Sequence, residues 1–242
     1  MEIKKCAIAQ PTFMPWIGWF DLVDQVDVMI LLDDVAFSKQ SWQQRNRIRT
    51  AKGLEFITVP VITSNRQGQL IKDCELENNI FAKKIIKTIQ HNYNKTKYFK
   101  SYFEELSTLI LYSANSRSLL ELNCGIIFWM IKKLQINTKI IKSSSINAEG
   151  KRGEYVAAIC ENIDAKKYIS TAGAEEYLLK DKKYFEIRKI QVELQEYKHP
   201  EYAQIAKEFI PYASAIDLLF NVGPEAGSVM RVGRMPNRVL IK

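Results

Sequence analysis

The sequence predicts an α/β fold built on a mostly parallel sheet, and three observations carry that prediction. The chain opens strand–loop–helix–strand, the pattern of a parallel crossover. Strand-like runs return later with helical segments between them. The composition supports a full core: 47% of the 242 residues are apolar and 11% aromatic, which argues against disorder and against a small scaffold that needs staples. The length fits one domain, residues 1–242, or one domain with an inserted subdomain.

The elements follow in order. Ile3–Ala9 reads as a buried strand and Gln10–Pro15 as the loop after it. Trp16, Phe20, Val23 and Asp24 recur at helical spacing up to Val26, and Val28–Leu32 is a second apolar strand that ends in Asp33-Asp34. Ligands of parallel sheets bind beyond the carboxyl ends of the strands, so Gln10–Pro15 and Asp33–Lys39 are the loops to watch. Phe56–Ile62 is strand-like, with Pro60 marking an edge or an end. Asn65–Gln69 reads as a turn. From there the chain is helical: Phe81, Ile85, Ile86 and Ile89 share one face and Lys83, Lys84 and Lys87 the other. Tyr98–Tyr112 and Ser118–Leu134 follow, so residues 78–136 form a helical insertion or subdomain. Lys139–Lys142 is a strand, Glu154–Asn162 a helix, Lys167–Ser170 a strand and Ala174–Leu178 a helix. Ile190, Val192 and Leu194 alternate as in a half-buried strand. Ser214 with Asp217 resembles a capping box opening a helix that stops at Gly223.

Several classes are excluded or demoted. The N-terminal apolar run is too short for a signal peptide. The most apolar stretch, Ile126–Ile131, is far shorter than the roughly 18 residues of a membrane span. The expectation is a chain without membrane insertion, located in the cytoplasm. Cys6, Cys74, Cys124 and Cys160 are scattered without a CxxC pair and read as reduced, mainly core residues. With only His91 and His199, the sequence offers no His/Cys zinc cluster, and no metal ligand is assigned. The net charge of +8 favours anionic partners. It is unevenly spread, since residues 35–54, 78–103 and 226–242 contain no acid.

The chemistry concentrates in Gln10–Arg49, which holds Trp16, Trp19 and Trp42, three of the four tryptophans. Arg45, Arg47 and Arg49 alternate in an extended segment and so share a face, either a solvated one or one that grips phosphates bidentately. Asp33 and Asp34 at a strand end could hold Mg²⁺, act as general base, or simply cap a turn. His199, in a loop between Tyr197 and Tyr202, is a better acid–base candidate than His91, which suits a helix C-terminus. Lys83–Lys100 carries six lysines interleaved with Tyr93, Tyr98 and Phe99, either a solvated face or an RNA-binding one. Pro15-Trp16-Ile17-Gly18-Trp19 invites comparison with the HxGH signature of nucleotidylyltransferases, a Rossmann-like fold. Here both histidines are tryptophan, and an apolar ring with one N–H cannot replace them.

AIAQPTFMPWIGWFDLVDQVD (7–27), LLDDVAFSKQSWQQRNRIRT (31–50), YISTAGAEEYL (168–178), HPEYAQ (199–204) and SAIDLLFNVGPEA (214–226) together resemble the WbqC-like protein family. The resemblance implies a role in bacterial surface-polysaccharide synthesis, including O-antigen and lipopolysaccharide. It also implies transfer of an amino acid such as glycine to the amine of a nucleotide-linked amino sugar. A binding protein for nucleotide sugar or RNA in the same pathway is the alternative. Within this reading Asp33, Asp34 or His199 would take the amine proton. Gln10, Trp16, Ser38, Trp42, Gln43, Arg45, Asn46, Arg47, Tyr202 and Gln204 would bind substrate. The acyl donor would be a free amino acid activated with ATP and Mg²⁺, or an aminoacyl-tRNA.

Overall fold

A computed structural model gives the fold and describes residues 5–206 and 208–242. In chain order it contains β1 (Lys5–Ala9), α1 (Ile17–Asp24), β2 (Val28–Leu31), β3 (Arg45–Thr50), β4 (Gly53–Thr58), α2 (Ile80–Tyr93), α3 (Phe99–Asn115), α4 (Leu119–Lys133) and β5 (Lys139–Lys142). Then follow α5 (Gly153–Asn162), β6 (Lys167–Thr171), α6 (Glu175–Lys180), α7 (Lys182–Ile187), β7 (Gln191–Gln195), α8 (Ala215–Val222), α9 (Ala226–Val232) and β8 (Arg238–Ile241). The part of the expected first strand before Lys5 lies outside the described residues.

Six strands form one sheet in the order β5-β2-β1-β6-β7-β8, parallel except for β8 at the edge. The fold is Rossmann-like α/β. From β1 the chain winds outward to β2 and β5, then returns to the other side of β1 at β6. The strand order therefore reverses between β1 and β6, and the cleft beyond their carboxyl ends is the expected ligand site of such a sheet.

The alternation of side chains along the strands divides the core. Cys6, Ile8, Val28 and Ile30 pack on one face with α5, Leu178 and Phe185. Ala7, Met29 and Leu31 pack on the other with α1, α2–α4, α8 and α9. The helices of residues 78–136 thus share one apolar cluster with the sheet. All four cysteines are free and buried. The C-terminal segment is tied to α1 by ion pairs. Arg234 holds Asp21 at 2.8 Å, and Arg231 holds Asp24 at 2.7 Å.

Some expectations need correction. The strand expected at Phe56–Ile62 runs from Gly53 to Thr58, because Ala51-Lys52 closes a hairpin that pairs Thr50 with Gly53. Gly53 supplies the φ of +129° that this turn requires. β7 is not half-buried: Val192 through Gln195 are all buried, since β6 and β8 cover both edges and helices both faces. Glu193 is tolerated there by its 2.7 Å pair with Lys167. The capping box does not form. α8 starts after Ser214, but Ser214 Oγ makes no cap and has no partner, and the Asp217 carboxylate turns away to Tyr202 and Gln204. α7, α9 and β8 are short, four to seven residues each, and no strong hydrophobic period marks them in the sequence.

Candidate functional site

The loop after β1 is held in an irregular shape by carboxamides, which satisfy carbonyls that no regular ladder reaches. Asn46 Nδ2 donates to the Phe13 and Met14 carbonyls at 3.0 and 2.8 Å. Asn123 Nδ2 donates to Pro11 and Gln43 carbonyls at 2.9 and 2.8 Å. Gln43 Nε2 donates to Gln10 Oε1 at 2.8 Å, and Gln43 Oε1 accepts from the Ser38 N–H at 2.9 Å. Gln43 and Asn46 are buried, so they shape the loop. Among the described residues the Gln10 NH₂ group has no hydrogen-bond partner, and the Ser38 side chain lies at the surface.

On one side of this loop is an aromatic slot of about 250 Å³, lined by Thr12, Trp16, Trp19, Trp42, Asn46, Arg47 and Tyr212. The Arg47 guanidinium lies 5.4 Å from the Trp42 ring centroid. Among the described residues it makes no ion pair and no side-chain hydrogen bond. Arg45 stacks on Phe56 at 4.5 Å beside it. Arg49 does not join them, because its guanidinium donates to the carbonyls of Thr50 and Glu208 at 2.6 and 3.0 Å. Trp16 forms the opposite wall, 5.3 Å from Tyr212. Its ring covers Gly18 so closely that a Cβ there would overlap it.

Behind Trp16 sits His199, stacked on the indole at 6.0 Å and ringed by Tyr197, Tyr202, Phe209 and Tyr212. Its Nδ1 contacts the Pro200 carbonyl at 2.9 Å. A carbonyl only accepts, so Nδ1 carries the proton and Nε2 is a lone pair, buried and without a partner. Burial lowers the His199 pKa.

On the other side of the loop, at the strand-order reversal, is a cleft of about 290 Å³ lined by Gln10, Leu32, Val35, Arg152, Tyr155, Val156 and Tyr177. The two aspartates take different parts. Asp33 is buried, and its carboxylate accepts from Ser144 N–H and Ser144 Oγ at 2.9 and 2.8 Å. It fastens the end of β2 to the end of β5. Asp34 is half-exposed. Its Oδ2 accepts from the Tyr155 hydroxyl at 2.6 Å and its Oδ1 from Ser143 Oγ at 2.5 Å. Burial and the Asp34 carboxylate push the Tyr155 hydroxyl well above its ordinary range, so it stays a donor.

Tyr202 and Gln204 line neither the slot nor the cleft, and both donate to Asp217 Oδ2 at 2.8 Å. Burial raises the Asp217 carboxyl, and the bonds from Tyr202, Gln204 and Tyr93 work against that. Sequence reasoning missed Tyr155, Ser143, Arg152, Thr12 and Tyr212. Each comes from a distant element or an irregular loop, and no spacing signal marks them.

Among the described residues no helix is long and apolar enough to cross a membrane, and no group of three or more acidic, His or Cys side chains could hold a metal. No solved structure matches the chain. A curated relative, "Uncharacterized protein Rv1507c" of Mycobacterium tuberculosis, is 33% identical over 233 residues, covering 96% of this chain and all of the relative. The profile of the WbqC-like protein family matches residues 10–229. The chain belongs to the WbqC-like protein family.

Proposed function

We propose that the protein joins an aminoacyl group, such as glycyl, to the amine of a nucleotide-linked amino sugar during surface-polysaccharide synthesis. The observation that carries this reading is the pairing of two clefts across one loop. The slot offers flat aromatic walls and a free guanidinium, suited to a ring and a phosphate. The cleft is lined by Tyr155, whose hydroxyl donates to the Asp34 carboxylate. Gln10 borders the cleft and Thr12, two residues on, borders the slot, so one extended substrate would reach both.

The reaction sets the roles. The amine nitrogen attacks an activated acyl carbonyl, a C–N bond forms, the C–O bond to the leaving group breaks, and the nitrogen gives up one proton. Asp34 is the base in this scheme, since Asp33 is buried in structural bonds. Arg47, with Arg45 beside it, holds the diphosphate, Trp16 and Trp42 enclose the ring, and the Gln10 amide reads a hydroxyl. His199 supports the Trp16 wall. The donor is a free amino acid activated with ATP and Mg²⁺, or an aminoacyl-tRNA.

The test is incubation of the protein with a panel of nucleotide-linked amino sugars, glycine and either donor system, with product followed by mass. The expected result is an acylated sugar, lost in Asp34→Asn. Neither turnover nor binding across a broad panel overturns the reading. Binding without catalysis is the second reading, and one observation favours it: both Asp34 oxygens are already hydrogen-bonded. Under that reading Asp34→Asn complements a polysaccharide-deficient strain as well as the parent does.

A further inference from the structure

We infer that a basic groove between the β3–β4 hairpin and α2 binds the phosphate backbone of tRNA, which makes aminoacyl-tRNA the acyl donor. This rests on the acyl-transfer reading and names the donor it left open. The groove encloses about 800 Å³ and is lined by Thr50, Ala51, Lys52 and Glu55 from the hairpin and by Lys83, Lys84, Lys87, Thr88, His91 and Asn92 from α2, with Ile80 at one end. In the sequence, residues 35–54 and 78–103 are two separate stretches without acids. The fold brings them face to face across this groove, where Glu55 is the only acid in the lining.

Four ammonium groups converge there, all on exposed residues. Among the described residues, lysine ion pairs involve Lys133, Lys167, Lys180 and Lys182, and none of the groove lysines. Free lysines are point charges suited to phosphates, and Thr88, His91 and Asn92 add hydrogen-bonding groups between them. The groove's two walls are fixed to each other: the Arg49 N–H donates to the Tyr93 hydroxyl at 2.9 Å, which joins β3 to the end of α2.

Position chooses RNA over other polyanions. β3 runs from the slot into the groove, Arg47 lining one and Thr50 the other. Three strand residues span about 10 Å. A polyanion seated in the groove would therefore bring a chain end to the edge of the slot, beside the nucleotide sugar held there, as a donor that carries its acyl group on a terminal ribose must. An acidic protein or a membrane gains nothing from that adjacency.

The experiment measures binding of bulk tRNA to the full chain by fluorescence anisotropy across a salt series. Lys83→Ala/Lys84→Ala/Lys87→Ala should weaken binding at least tenfold and flatten the log–log salt slope by roughly 2, at about 0.7 to 0.9 for each phosphate no longer neutralised. Lys95→Ala/Lys97→Ala/Lys100→Ala, outside the groove, should change it little, and circular dichroism checks the fold of both. Vesicles of anionic lipid and poly-glutamate are run alongside. Absence of tRNA binding, indifference to the groove triple, or equal binding of vesicles or poly-glutamate overturns the inference. If tRNA does not bind but glycine with ATP is transferred, the donor inference falls and the acyl-transfer reading stands. If tRNA binds through the groove but no acyl group reaches any amino sugar, the groove stands and the acyl-transfer reading falls.

Discussion

At the residue scale, Asp33 and Asp34 are adjacent in sequence but sit in different surroundings, and their substitutions should separate. Asp33→Ala leaves the Ser144 N–H and hydroxyl without their acceptor, which should cost about 2 kcal/mol of stability in denaturant titration. Asp34→Asn should leave stability within about 1 kcal/mol while turnover is lost. Arg47→Ala should weaken nucleotide-sugar binding at least tenfold in calorimetry, because among the described residues no acceptor competes for its guanidinium. Gly18→Ala tests the slot indirectly. The new methyl must displace the Trp16 ring, so affinity should drop although Gly18 itself touches no ligand. His199 gives a pH prediction. Its folded pKa lies below its unfolded value, so its contribution is present above about pH 6.5 and is lost as pH falls through the lowered folded value. The thermal midpoint of the parent should fall more steeply with acidification than that of His199→Gln. Tryptophans, arginines and paired aspartates were legible as a cluster because they are rare residue types packed into one short segment. Which of them face a ligand was not, because that depends on Ser144, Tyr155 and Glu208, all far along the chain from the groups they bond.

At the element scale, β1, β2 and the long helices were readable from their apolar patterns, since buried strands and amphipathic helices carry strong ones, and β5 from its short Ile140-Ile141 pair. α8 began where expected, but for a different physical reason. The Ala215 N–H donates to the Pro15 carbonyl at 2.9 Å, so tertiary pairing with the loop, rather than a side-chain cap, starts it. Ser214→Ala should therefore change stability by less than about 0.5 kcal/mol, where loss of a working cap costs about 1 kcal/mol. The opposite holds for the link between α1 and the C-terminal segment. Arg234 pairs with the fully buried Asp21 as well as Asp24. Arg234→Ala leaves that buried carboxylate with the Gln25 and Gln195 amides but no charge partner, and should cost about 3 kcal/mol by chemical denaturation.

At the scale of the whole molecule, the fold explains why the candidate site lies where it does. A parallel sheet whose strand order reverses between β1 and β6 opens a cleft at their carboxyl ends, and the β1 loop, pinned by Gln43, Asn46 and Asn123, divides that region into the slot and the cleft. The fold class was legible from the order of elements. The return of β6 to the far side of β1, and the meeting of two acid-free segments across one groove, were not, because both are long-range facts with no local signature. The helices of residues 78–136 share the sheet's apolar cluster, so we propose that they unfold with it, giving coincident transitions by tryptophan fluorescence and far-ultraviolet circular dichroism. In the proposed reaction an amine becomes an amide. The most direct measurement is a ¹⁵N spectrum of a nucleotide-linked amino sugar labelled at its amine, incubated with the protein and a ¹³C-glycyl donor. The expected result is a new amide N–H signal coupled to the glycyl carbonyl, absent with Asp34→Asn. An amine signal that stays unchanged with both donor systems, under conditions where the sugar is bound, would contradict it.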